Sequence, residues 1–121
     1  TEATAGTWAT APSLVQGVGG QALAVLGSFG FGQTRNDVTA SRAFGTTYYN
    51  TTPRPIWVHV VGSNTGGGTT ITLTINGVAH KGTVAGATGA TSAVGAPVMP
   101  GESYSASLST GSTLQAWIEM R

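Results

Sequence analysis

Residues Thr69–Ile75 alternate without a break, with Ile71, Leu73 and Ile75 to one side and Thr70, Thr72 and Thr74 to the other. An apolar period of two marks a strand with one face in a core. Asn76-Gly77 follows at once and favours a type I′ turn, in which both central residues take φ > 0. Val78–Val84 is then the return strand. A lone hairpin is marginal in water, so the rest of the chain must supply partners. Ile56–Val61 sets Ile56, Val58 and Val60 against Trp57, His59 and Val61. Thr91–Val98 runs into a Pro100-Gly101 turn, and Ser103–Ser109 groups Tyr104, Ala106 and Leu108. Thr113–Met120 sets Leu114, Ala116, Ile118 and Met120 opposite Gln115, Trp117 and Glu119. Gly45–Asn50 gathers Thr46, Thr47, Tyr48 and Tyr49, strong β formers, before a turn over Asn50–Pro55. Gly62–Gly68 reads as a loop. About seven short strands at this spacing predict an all-β fold, a small antiparallel β-sandwich of jelly-roll-like type.

The first 32 residues differ. Thr1–Pro12 is small and polar around Trp8, and the apolar stretch Ser13–Leu26 is broken by Gly17, Gly19 and Gly20. Each glycine costs a helix about 1 kcal/mol, so a short irregular or partly helical lead-in is expected. Ser28–Gln33 is a glycine-spaced aromatic link. The division read from the sequence is therefore 1–32, a stem or inter-subunit packing segment, and 33–121, the sandwich. The chain begins at Thr1 rather than Met and is expected to be a piece of something longer.

Charge excludes several classes. Only 7% of the 121 residues are charged, against about 25% in ordinary soluble domains. The net charge is +1, with Arg35, Arg42, Arg54, Lys81 and Arg121 scattered, which is no footprint for nucleic acid. No apolar run is long enough to insert in a membrane as a helix. The absence of cysteine removes disulfides and thiolate metal sites.

Catalytic groups are sparse. The four carboxylates, Glu2, Asp37, Glu102 and Glu119, show no spacing that suggests an acid–base pair. His59 and His80 lack a third ligand signal for metal. No nucleophile elbow or phosphate loop is present. The reading is not an enzyme, with no cofactor and no metal. The aromatics are more informative. Tyr48, Tyr49, Trp57 and Trp117 all fall in strands, where each is either core, an interface between chains, or a platform on which the apolar side of a pyranose stacks. Ile56–Val61 is apolar on both faces, and a small sandwich has one core, so a second copy is expected to cover the other face.

Taken in order, Gly32-Gln33-Thr34-Arg35-Asn36-Asp37-Val38-Thr39-Ala40-Ser41-Arg42 resembles a motif near the start of the C-terminal domains of bacteriophage tail fibres and related tail proteins, Gly-Gln-Thr-Trp-x-Asp-Val-Thr-x-x-Arg. Gly45-Thr46-Thr47-Tyr48-Tyr49-Asn50, Pro55-Ile56-Trp57-Val58, Val98-Met99-Pro100-Gly101-Glu102-Ser103-Tyr104 and the closing Trp117-Ile118-Glu119-Met120-Arg121 are similar to later segments of the same family. Glu2–Thr7 is similar to the linker of many tail fibres. The resemblance covers roughly residues 32–121. Arg35 stands where the family has Trp, and Phe29 or Phe31 is expected to fill the space of that ring.

The resemblance implies a homotrimeric fibre tip or tailspike domain on a virion, extracellular when acting, that attaches to a bacterial surface polysaccharide or lipopolysaccharide. It transfers no catalytic residue. Candidate ligand contacts are Tyr48, Tyr49, Asn50, Arg54, Trp57, His59, Asn64 and His80. Two alternatives remain: a structural trimerisation cap or virion decoration domain without a receptor, and a monomeric carbohydrate-binding module.

Overall fold

The computed structural model describes residues 29–65, 70–83, 87–109 and 112–121. The readings placed on Thr1–Leu26, on the glycines at 66–68 and on Val84 lie outside the described residues. The chain divides into two units, Thr1–Gly32 and Gln33–Arg121, and the second is the sandwich.

Eight strands follow in order: β1 (Arg35–Asp37), β2 (Tyr48–Tyr49), β3 (Ile56–Asn64), β4 (Thr70–Ile75), β5 (Val78–Thr83), β6 (Thr91–Val98), β7 (Ser103–Leu108) and β8 (Ser112–Met120), with one 3₁₀ turn at Thr39–Ser41. All pairings are antiparallel. One sheet has the order β1-β8-β3-β6 and the other β2-β7-β4-β5. β1 pairs with β8, β2 with β7, β3 with β6 and β4 with β5. The chain is thus one long hairpin folded over on itself, and that is a jelly roll.

The hairpin at the centre of this ribbon forms as its sequence dictates. Asn76 (φ 47°) and Gly77 (φ 84°) both take the left-handed backbone that a type I′ turn requires. Ile71, Leu73 and Ile75 face inward from β4 and meet Ile56, Val58 and Val60 from β3, with Val98, Ala96, Tyr104, Ala106 and Trp117 completing the core.

Three expectations need correction. The segment from Gly62 is not all loop: Gly62, Ser63 and Asn64 continue β3, pairing with Ser92, Thr91, Leu114, Thr113 and Ser112. Of Gly45–Asn50, only Tyr48 and Tyr49 form a strand. Along β8 the expected alternation is broken. The register with β3 passes from Val61↔Ala116 to Gly62↔Leu114, leaving Gln115 as the extra residue of a bulge. Leu114 packs against the core on one side of it; Trp117 and Glu119 are buried on the other. Three residues is an odd separation, and only a bulge puts both on one face. Ile118 and Met120 consequently lie on the face away from the core, where both are half-buried.

The β1 strand has no clear signal in the sequence. Arg35 in it is exposed, so the place where the resembling family carries Trp lies outside the core. Phe29 and Phe31 are 45% and 50% exposed.

Leu73 is fully buried between the sheets. Leu73→Ala is expected to destabilise the domain by about 2–5 kcal/mol, measured by urea unfolding; a loss below about 1 kcal/mol would contradict this core.

Candidate functional site

Two places in the sandwich hold chemistry, one inside and one outside. The inner one is Glu119, with none of its surface exposed. Its Oε2 accepts from Arg42 Nε at 2.8 Å, from Tyr104 Oη at 2.9 Å and from Trp117 Nε1 at 3.1 Å. Its Oε1 accepts from Arg42 Nη2 at 3.0 Å and from an Nη2 of Arg121. Five donors meet the roughly four lone-pair sites of a carboxylate, so none is left for a substrate. Tyr104 also accepts from Arg121 at 3.2 Å. Arg42 lies 4.5 Å from the centre of the Tyr48 ring, a cation–π distance. That ring stands edge-on to Trp117, with centroids 5.7 Å apart.

Burial on its own would raise the pKa of Glu119. The hydrogen bonds from Arg42, Arg121 and Tyr104 outweigh it and hold the carboxyl below its ordinary value. Burial, then the adjacent Glu119 charge, push the Tyr104 phenol upward. Sequence reasoning named Glu119 only as one of four carboxylates. The available signal was its place on the Trp117 face of an apolar strand, where a carboxylate needs cations.

The outer place is the solvent side of the first sheet. Trp57 and His59 project there, opposite Val58 and Val60. Register aligns Arg35, Met120, Trp57 and Pro97 in one row across the four strands, and Asp37, Ile118, His59 and Gly95 in the next. Gly95 sets the geometry. A Cβ there would meet the Trp57 indole at 3.0–3.2 Å and the His59 Nδ1 at 3.2 Å, so both rings settle against the bare backbone of β6. Trp57 stays 37% exposed.

The other expected contacts are dispersed. Tyr48 belongs to the core wall, its hydroxyl accepting from the Ala43 amide at 3.0 Å. Asn50 is 1% exposed. Its Nδ2 donates to the Arg54 and Val98 carbonyls, and its Oδ1 accepts from the amide and hydroxyl of Thr52. It pins the turn into β3 and leaves nothing for a ligand. Arg54 lies half-buried in that turn, and Asn64 is buried at the far end of β3. Tyr49 is 60% exposed beside Ser103 on the second sheet, and His80 is exposed on β5. Of the expected contacts only Trp57 and His59 share the solvent face of one sheet, and Gly95, which seats them, was not anticipated.

Among the described residues no group of His, Asp and Glu could hold a metal ion, and no helix is long and apolar enough to cross a membrane. No family model, curated protein or solved structure matches the chain.

Two outcomes follow for the inner cluster. Glu119→Ala strands Arg42 inside the sandwich and is expected to cost roughly 3–5 kcal/mol in urea unfolding at pH 7. Because the folded pKa of Glu119 lies below the unfolded one, its contribution is fully present above about pH 4.3. It is lost as pH falls through the folded value. The urea midpoint should therefore drop on acidification below that pH in the wild type, and the difference between wild type and Glu119→Ala should narrow. A constant difference from pH 7 to pH 2 would contradict the cluster.

Proposed function

We propose that this chain is the C-terminal tip domain of a phage tail fibre or tailspike, which attaches the virion to a bacterial surface glycan as a homotrimer. One observation carries the reading. The core closes without Trp57, Met120 and Ile118, yet these large side chains share the solvent side of one sheet, Trp57 exposed and Met120 and Ile118 half-buried, in a nearly uncharged domain. Apolar groups gathered on the solvent side of a sheet suit a binding surface, and an aromatic ring beside hydrogen-bonding side chains suits a sugar. Jelly rolls also serve as viral capsid and lectin domains, an analogy of fold that supports the reading without carrying it. The sequence motifs of residues 32–121 point the same way. Three weak sites on one tip would act together, raising the avidity for a repeating polymer far above the affinity of one site.

The same apolar strip also suits burial by another copy, which favours a trimerisation cap without a receptor as the second reading.

Light scattering on a sizing column is expected to give about three times the chain mass of 12.1 kDa, and the labelled protein is expected to bind whole cells of the host. A trimer that binds no cell or surface glycan in a broad panel would favour the cap. A monomer that binds glycan would favour a free-standing carbohydrate-binding module.

A further inference from the structure

Resting on that attachment reading, we infer that the glycan site is the strip of the first sheet running from Trp57 over Met120 to Arg35, and that it takes internal residues of a neutral pyranose polymer. The floor of the strip is apolar: the Trp57 ring, then Met120 and Ile118 on the adjacent strand. Its β1 border is polar, with Arg35 opposite Met120 and Asp37 opposite Ile118, while His59 stands beside Trp57 against Gly95. A pyranose laid on the indole by its apolar face keeps its hydroxyls at the periphery. There a guanidinium donates, a carboxylate accepts, and an imidazole can do either.

Length and shape narrow the ligand. Arg35 and Trp57 are separated by two strand spacings, about 10 Å, more than one sugar ring spans. Among the described residues the surface is the outside of a sheet, so the polymer lies across the strands. Charge narrows it further. Arg35 and Asp37 cancel, so no net charge selects an acidic polymer. Binding of a neutral one is not a matter of ion pairing and resists salt.

Gly95 sets how closely the platform rests on β6. A methyl group there stands 3.0–3.2 Å from both rings, so Trp57 and His59 must give by a few tenths of an ångström while the core is untouched.

The test uses the assembled protein against neutral and acidic bacterial surface polysaccharides, immobilised by their reducing ends, and against oligosaccharides of increasing length cut from those that bind. A neutral polymer is expected to bind, with little change between 0.1 and 1 M salt and a rise in affinity from one to two or three residues. Trp57→Ala is expected to weaken binding by at least about tenfold, Gly95→Ala and Trp57→Phe each by only a few-fold, and the assembly mass should not change. Arg35→Ala, an exposed change that leaves folding intact, is expected to weaken binding several-fold. Full binding by folded Trp57→Ala and Arg35→Ala would overturn this placement while leaving the attachment reading intact. Binding confined to acidic polymers and lost in salt would overturn the ligand class. No polysaccharide bound by the wild type would overturn the attachment reading and this inference with it.

Discussion

One buried carboxylate organises the open side of this sandwich. Glu119 receives donors from β8 itself, from Tyr104 on β7, from Arg42 after the 3₁₀ turn and from Arg121. A lone carboxylate in a core would cost several kcal/mol of desolvation; saturation by two cations and two neutral donors removes that penalty. The same bonds tie the two sheets to the segment between β1 and β2. That segment holds little strand of its own: β1 is three residues and β2 is two. Its further attachments converge on the same place. The Trp117 amide donates to the Thr39 hydroxyl at 2.8 Å, and the Val38 amide donates to the Trp117 carbonyl at 2.8 Å. Asp37 in turn accepts from the amide and hydroxyl of Thr39, which fixes the turn that delivers Arg42.

The bulge at Gln115 is the structural condition for this arrangement. A regular β8 that buried Leu114 would bury Ala116, Ile118 and Met120 and expose Trp117 and Glu119. The extra residue re-aims the end of the strand. It lets one strand serve both the aliphatic half of the core, near Leu108 and Leu114, and its aromatic and ionic half around Tyr48, Tyr104 and Trp117. It also turns Ile118 and Met120 outward, where they floor the strip beside Trp57. Inner cluster and outer strip are thus two consequences of one register shift.

This explains which parts of the fold were legible in the sequence. The β4–β5 hairpin was, because period and turn chemistry agree there and both are local. The inward faces of β3, β4 and β7 were, because their alternation is unbroken. The end of β8 was not, since a bulge is set by the partner strand and leaves no mark in the periodicity. β1 was not, because Arg-Asn-Asp has poor strand propensity and is held by β8. For the candidate site, Trp57 and His59 stood out by alternating with the core residues of β3. Gly95 did not, because its importance lies in two rings from another strand. Asn50 looked like a surface polar group, but its turn folds over it, and the carbonyls of Arg54 and Val98 fill the place a ligand would take.

The two places also share a supply of charge. The chain has nine charged residues, five basic and four acidic, and three of them, Arg42, Glu119 and Arg121, are committed to the inner cluster. Arg35 and Asp37 lie on β1 at the edge of the outer strip, and Glu102 closes its own turn by accepting from the Met99 amide at 2.8 Å. Little remains to generate a long-range field, so association cannot depend on electrostatic steering. On the attachment reading proposed above, such a domain would recognise its partner through contact: stacking, close fit and short hydrogen bonds. These are weak singly against a hydroxyl-rich, well-hydrated polymer, where each bond gained replaces one to water. On that reading, useful attachment would come from presenting the same strip several times. On the proposed trimeric reading, a charge-poor surface and a need for several copies are linked, and repetition of the chain in an assembly would supply the strength that a single strip lacks.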